Sequence, residues 1–299
     1  MSIVEVLKQH AYACRIEEVS NEEWKMSDFL IGRFREDIIR ALYDFRLHHV
    51  DVIARKSLKE QGPERVTKYP IGECSWIRNR VLDHIKRATR SYNPDMPWVS
   101  PMIVRFRPVY GIQGEKTFQN AIQAGNWIID WAKDTVDRTR YPVTVLHVHD
   151  SWLRNMHNHA DFADVFERYQ WVQSFPNVYY PNLAPFFPII FVDIDGSVWF
   201  GTNMPQRLDM MGIFEDFQSA ENFIFDSDFA NRRLTKEQQS KLKSMHPWNT
   251  LNTEDNVSLD AIRIWFKQAR WRSVEERATI YQQLWNLIEK SPLRLWRGL

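Results

Sequence analysis

The chain has 299 residues, and its 39 Lys and Arg against 38 Asp and Glu give a formal net charge of +1. A charge this close to zero excludes a strongly basic nucleic-acid-binding protein and argues against general nucleic-acid binding. Hydrophobic residues make up 44% of the chain and charged residues 26%, which is typical of a globular protein and not of a disordered one.

The cysteine content and the apolar runs predict a soluble cytoplasmic protein. There are two cysteines, Cys14 and Cys74, which are too few for a disulfide framework, so we expect both thiols to stay free. Charged residues interrupt the N-terminal segment, which argues against a signal peptide. The longest apolar run, 183–192, contains two prolines and is about half of the length that a membrane span needs, so no membrane association is predicted.

Helical patterns occupy the first ninety residues. Apolar residues recur at steps of three and four from Phe29 to Lys59, which predicts one long amphipathic helix that Gly62-Pro63 ends. The same spacing predicts a helix from Ser75 to Arg90, with Cys74 in its first turn.

Strand patterns dominate from residue 102 to residue 200, around one helical segment at 158–172. The dipeptides Gly125-Asn126 and Asp195-Gly196 lie between apolar runs and predict two hairpin turns. The predicted strands are Met102–Tyr110, two short strands within Phe118–Ile129, Pro142–His149, and the two strands within Pro188–Phe200.

Helical patterns return in the last part of the chain, at Thr235–Met245, Ser258–Trp271 and Ser273–Lys290. The whole order predicts an α+β fold, a central and mostly antiparallel sheet flanked by N- and C-terminal helices. We expect an N-terminal helical segment at 1–65, an α+β core at 66–205 and a C-terminal helical segment at 206–299.

Cys74 is the first candidate for chemistry. It lies at the predicted start of a helix, where unpaired backbone N–H groups and the positive end of the helix dipole favour a thiolate. The structural alternative is a small buried residue beside Gly72, because free cysteine is among the most buried residue types.

A turn Gly72-x-Cys74 that opens a helix and is followed by antiparallel strands resembles the transglutaminase-like and papain-like cysteine superfamily. Phe118–Asp130 resembles the strand–turn–strand that carries the family's His and then its Asp, and Trp131–Thr135 resembles the end of that motif. The similarity covers about residues 69–135. It implies that Cys74 is a nucleophile, that a histidine removes its proton, and that Asp130 or Asp134 orients the histidine.

This sequence departs from that pattern at the histidine. The corresponding position holds Asn120, and an amide cannot act as a general base because it takes up no proton near neutral pH. Either His147 or His149 supplies the base from the next strand, or the site is degenerate and performs no chemistry.

A cluster of histidines supports a different reading. Four of the nine histidines fall within residues 147–161, and imidazole with carboxylate is a common ligand set for Zn, Fe and Mn. The candidate ligands for a divalent transition metal are His147, His149, Asp150, His157 and His159. The structural alternative places His157 and His159 at a loop-to-helix junction, with Asn158 and Asp161 as capping residues.

Three functions therefore follow from the sequence. The first is an intracellular cysteine-dependent amide hydrolase or acyl transferase, without a cofactor, that acts on a protein or a small amide substrate. The second is a metal-dependent enzyme that uses the cluster His147–Asp161. The third is a non-catalytic interaction module on a degenerate cysteine-enzyme fold.

Overall fold

The structure of the protein is a computed structural model that describes residues 15–88, 105–181, 183–185, 187–200, 218–244 and 259–268. These residues fall in two compact units, one of residues 15–155 and one that begins at Met156. The predicted boundaries lie after residues 65 and 205, whereas the N-terminal helices belong to the same unit as the first sheet. Cys14 and the predicted helix Ser273–Lys290 lie outside the described residues.

The element order confirms the α+β fold, because helices and antiparallel strands follow one another in separate runs. The first unit contains α1 (Asn21–Ser27), α2 (Arg35–Phe45), α3 (Asp51–Gln61), α4 (Pro63–Lys68), α5 (Cys74–Ala88), β1 (Phe106–Gln113), β2 (Thr117–Ala124), β3 (Trp127–Asp130), β4 (Thr144–His147) and β5 (Leu153–Arg154). The second unit contains α6 (His159–Gln170), β6 (Gln173–Pro176), β7 (Ile189–Val192), β8 (Val198–Phe200), α7 (Gln218–Phe225), α8 (Lys236–Ser244) and α9 (Leu259–Gln268).

The predicted long helix from Phe29 to Lys59 is divided by two π-helical turns, at Asp28–Gly32 and Arg46–Val50. Each π-turn inserts an extra residue and shifts the face that the following residues present. The second π-turn contains Arg46, whose side chain is 2% exposed and lies inside the unit. Regular α-helical spacing does not anticipate a buried arginine at this position.

The sheet of the first unit has five antiparallel strands in the order β4-β3-β2-β1-β5. The predicted turn at Gly125-Asn126 is confirmed, since it joins β2 to β3 with Ile122 opposite Ile129. Side chains alternate between the two faces of a strand. Ile122 and Ile129 therefore face the core formed with α5, whereas Ala121 belongs to a separate apolar cluster on the other face.

The strand that was predicted to run from Pro142 to His149 is shorter in the structure. It covers Thr144–His147, and the next three residues, Val148–Asp150, form one turn of 3-10 helix. His149 therefore does not continue the strand, although its ring lies 5.1 Å from that of His147 between centroids.

The second unit confirms two local predictions. Asn158 caps α6, with its side-chain oxygen 2.7 Å from the backbone nitrogen of Asp161. The hairpin at Asp195-Gly196 joins β7 to β8, and Gly196 has the positive φ, 77°, that such a turn requires. The aromatic side chains of Phe162, Phe166 and Phe191 pack together in the core of this unit.

Candidate active site

Cys74 begins α5, where the sequence places it. The preceding turn is held by a hydrogen bond from the backbone nitrogen of Gly72 to the carbonyl of Thr135, at 3.1 Å, and Gly72 has a φ of 81°. This left-handed conformation favours glycine, because residues with a Cβ adopt a positive φ only at a steric cost. The turn presents the sulfur of Cys74 in a half-buried position toward β2.

The partner of the sulfur is Asn120 on β2. Its side-chain Nδ2 donates a hydrogen bond to Sγ of Cys74 at 3.1 Å. The other end of the amide, Oδ1, accepts from Nη1 of Arg78 at 2.7 Å. Both Asn120 and Arg78 are buried. Since a guanidinium only donates, it fixes the amide with its oxygen toward Arg78 and its nitrogen toward the sulfur.

Arg78 is itself held in place from several directions. Its Nε and Nη2 donate to Oδ1 of Asn79 at 3.0 and 2.9 Å, and its Nη1 also lies 3.4 Å from the carbonyl oxygen of Val109. Arg78 thus joins α5 to both β1 and β2. It follows Cys74 by four residues on the helix, and this i,i+4 spacing is the signal by which the sequence could have identified it.

The three side chains cannot carry out base-assisted thiol chemistry by themselves. The nitrogen of Asn120 that faces Cys74 is a donor, and the amide oxygen is occupied by Arg78. Removal of the thiol proton needs an acceptor such as imidazole within about 3–4 Å of the sulfur. A base would have to come from elsewhere in the protein.

His147 lies far along the sheet from Asn120, the residue that contacts Cys74. It pairs with Trp127 on β3, whereas Asn120 lies two residues before Ile122, which pairs with Ile129. Asn120 and His147 are therefore offset by four residues along the strands and by two strands across the sheet. This offset corresponds to about 16 Å between the backbone positions of the two residues. The ring of His147 instead packs edge-on against Trp127, at 5.8 Å between centroids, and beside His149.

Asp130 is on the opposite face of the sheet from Asn120. Its two carboxylate oxygens accept from Nε2 of Gln119 at 3.0 and 2.9 Å, and Oδ1 also accepts from the backbone nitrogen of Ala132 at 2.8 Å. Burial raises the pKa of Asp130 to about 6, against the opposing effect of these hydrogen bonds. The structure therefore does not bring Asp130 to Cys74.

Asp134 belongs to a buried ionic network. Its carboxylate accepts from both terminal nitrogens of Arg46, at 2.7 and 2.9 Å, and Nε of Arg46 lies 3.2 Å from Asp51. Arg46 also donates to the carbonyl of Trp131. Burial raises the pKa of Asp134, and the guanidinium acts in the opposite direction. Arg46 is a residue that the sequence did not single out, because 88 residues separate it from Asp134.

A hydroxyl group extends this network. The hydroxyl of Tyr69 donates to Asp51 at 2.5 Å, and burial is the largest cause of the raised pKa of Tyr69. Asp51 thus connects Tyr69 to the guanidinium of Arg46. The network links α3 and the second π-turn to the segment after β3.

The predicted metal ligands lie in both units. His147, His149 and Asp150 belong to the first, and the two imidazoles at 5.1 Å could supply two ligands. In the second, His159 is buried, its Nδ1 lies 2.8 Å from Oγ of Ser219, and burial lowers its pKa to about 3. Within the described ranges, no three His, Cys, Asp or Glu side chains form a group that could hold a metal ion.

Searches among protein-family models, curated proteins and solved structures found no match to this chain. Among the helices in the described part of the chain, none is long and apolar enough to cross a membrane.

Proposed function

We propose that residues 15–155 form an interaction module on a degenerate transglutaminase-like or papain-like cysteine fold. The observation that carries this proposal is the amide of Asn120 in hydrogen-bond contact with Cys74, at the position where the resembling family has its base. An amide that donates to the sulfur supports a structural role for the pair, since it ties the start of α5 to β2.

Exposed aromatic side chains support the binding of a protein partner. The unit exposes Trp24, Phe29, Tyr141 and Trp152 by 45%, 56%, 53% and 77%, and large aromatic residues are enriched in the centres of protein interfaces. Trp152 also has a φ of 58°, a conformation that is costly for a bulky residue. Its carbonyl accepts from the backbone nitrogen of Gly114 at 2.9 Å, which holds the segment in place.

Alkylation of the full chain tests the absence of thiol activation. Iodoacetamide is applied at about pH 6–7, where an ordinary thiol is mostly protonated, and the adduct on Cys74 is followed by mass spectrometry. We expect Cys74 to react no faster than N-acetylcysteine. Asn120→His places a base beside the sulfur and should raise the rate, whereas Asn120→Leu should not. A wild-type rate more than about tenfold above that of the free thiol contradicts the proposal.

A capture experiment tests the interaction itself. The immobilised full chain is compared with its Trp152→Ala and Cys74→Ala variants, and bound proteins are eluted with and without hydroxylamine, which cleaves thioesters. We expect a non-covalent partner that is lost from Trp152→Ala and retained by Cys74→Ala. Capture that needs Cys74 and is released only by hydroxylamine supports the cysteine-dependent acyl transferase instead.

A further inference from the structure

The face of the sheet opposite to α5 contains a small polar recess. Its lining includes Thr144 of β4 and Ser151 just before β5, although these strands form opposite edges of the sheet. The sheet therefore curls so that its two edges approach each other over Gln119 and Asp130. A concave, mostly enclosed face of this kind is a common location for ligand sites.

Gln119 lines this recess, and among the described residues one of its polar atoms has no partner. The residue is fully buried, and its Nε2 is committed to the two carboxylate oxygens of Asp130. Within the described part of the chain, its Oε1 has no hydrogen-bond partner. A buried acceptor without a donor costs free energy, so a group in the recess that donates a hydrogen bond to Oε1 would be stabilising.

Asp130 adds a carboxylate to the same recess. Burial has the largest effect on the pKa of Asp130 and raises it, whereas the hydrogen bonds from Gln119 and Ala132 lower it. The charges of Lys133, which lines the recess, and of Arg46 also lower it, but burial prevails. The carboxylate is thus incompletely compensated by the charges of the protein. A further positive charge in contact with it would be stabilising.

The size of the recess limits the ligand. The cavity volume of the recess is about 10 Å³, which is room for one group of the size of a water molecule. We propose that the recess binds a protonated amine, either the ammonium ion or the terminal ammonium group of a primary amine, with Gln119 Oε1 and the Asp130 carboxylate as acceptors. This site lies on the other face of the sheet from Cys74 and does not depend on the function proposed above.

Thermal unfolding of the full chain in different chloride salts of equal ionic strength tests the site. Ammonium should raise Tm by about 2–4 °C relative to tetramethylammonium, which has no N–H group and is too large. The increase should grow with the logarithm of the ammonium concentration. Potassium has a similar size but no N–H group and should behave like tetramethylammonium.

Methylammonium and propylammonium distinguish the two sources of the ligand. An increase in Tm with ammonium alone assigns the site to the free ion, and an increase with all three assigns it to the end of a primary amine. An equal increase with potassium overturns the choice of an N–H donor. Equal Tm values in all salts mean that the recess holds only water, and overturn the site altogether.

Two variants locate the effect. Gln119→Met removes the unpaired acceptor at similar side-chain length and should abolish the response to ammonium. Gln123→Met is the matched control, because Gln123 is buried on the same strand and face but is fully hydrogen-bonded to Glu17 and Gly125. It should lower Tm and keep the ammonium response. Loss of the response in both variants would contradict the assignment to Gln119.

A spectroscopic measurement keeps the proposal testable if Gln119→Met does not fold. With ¹⁵N-labelled ammonium and the wild-type chain, bound ammonium should give a proton signal that is shifted and exchanges more slowly than that of the free ion. Excess unlabelled ammonium should remove the signal, and excess potassium should not. Absence of any bound signal would overturn the proposal.

Discussion

The amide nitrogen of Asn120 lies 3.1 Å from the sulfur of Cys74, and the orientation of the amide is fixed by Arg78 on its other side. In this arrangement the cysteine at the start of α5 is part of a polar link between a helix and a sheet. The link depends on a buried guanidinium, so its contribution to stability can be measured separately from any reactivity of the thiol.

Replacement of Arg78 tests this link. Arg78→Met keeps the length of the side chain but leaves the buried acceptors of Asn120 and Val109 without their donor, and we expect a loss of about 2–3 kcal/mol in the free energy of unfolding. Urea unfolding measures it. Arg80→Met is the control, because Arg80 is exposed and stacks on Trp76. Equal losses in the two variants would argue against the link.

We expect the loss of the ion pair between Arg46 and Asp134 to lower the free energy of unfolding by more than the loss of Arg78 does. Asp134→Asn leaves the buried guanidinium of Arg46 short of a counter-charge, which should cost about 3 kcal/mol in the free energy of unfolding. Asp137→Asn makes the same chemical change in an exposed ion pair with Arg140 three residues along and should cost far less. Chemical denaturation of both variants gives the comparison, and similar losses would contradict the buried network.

Alanine substitutions at two hairpin glycines distinguish the cost of a strained backbone from the cost of steric overlap. Gly114 and Gly125 have nearly the same positive φ, 60° and 57°. A Cβ at Gly114 would meet no atom within 4 Å, but one at Gly125 would lie 2.3 Å from the side chain of Ser27. Gly114→Ala should therefore cost about 1–2 kcal/mol for the left-handed backbone, and Gly125→Ala about 1–3 kcal/mol more.

Urea unfolding of the two alanine variants measures this difference. The hydroxyl of Ser27 accepts from the backbone nitrogen of Asn126 at 3.2 Å, so it is held against the turn and cannot easily move away. A smaller loss for Gly125→Ala than for Gly114→Ala would contradict the close packing of α1 on the hairpin.

The buried histidine of the second unit predicts a pH dependence. Burial lowers the pKa of His159 from its ordinary 6.5 to about 3. Below about pH 6.5 the unfolded chain therefore binds a proton at His159 that the folded chain does not. The contribution of His159 to stability is fully present above that pH and is lost progressively as the pH decreases toward 3. The slope is about 1.4 kcal/mol per pH unit within that window.

The variant His159→Gln should remove this part of the slope, although it also disturbs the hydrogen bond between the imidazole and Ser219. His157→Gln is the matched control, because the side chain of His157 is exposed. Denaturation of the second unit at several pH values between 4 and 7 measures both. An unchanged slope in His159→Gln would show that another group titrates in its place.

Local signals in the sequence determined much of the fold. The turns at Gly125-Asn126 and Asp195-Gly196, the cap at Asn158 and the start of a helix at Cys74 each depend on the conformations of a few neighbouring residues. Such preferences act over one turn of chain, so they can be identified without knowledge of the partner element. The α+β order followed from the same kind of evidence.

Only the tertiary structure decided which polar residues meet. Asn120 and Asp130 are separated by an even number of residues and look equivalent in the sequence, but the register of Ile122 opposite Ile129 places them on opposite faces of the sheet. The same register holds His147 away from Asn120, the residue that contacts Cys74. Strand pairing and long-range contacts such as Arg46 with Asp134 join distant parts of the chain, and the periodicity of a single segment contains no information about them.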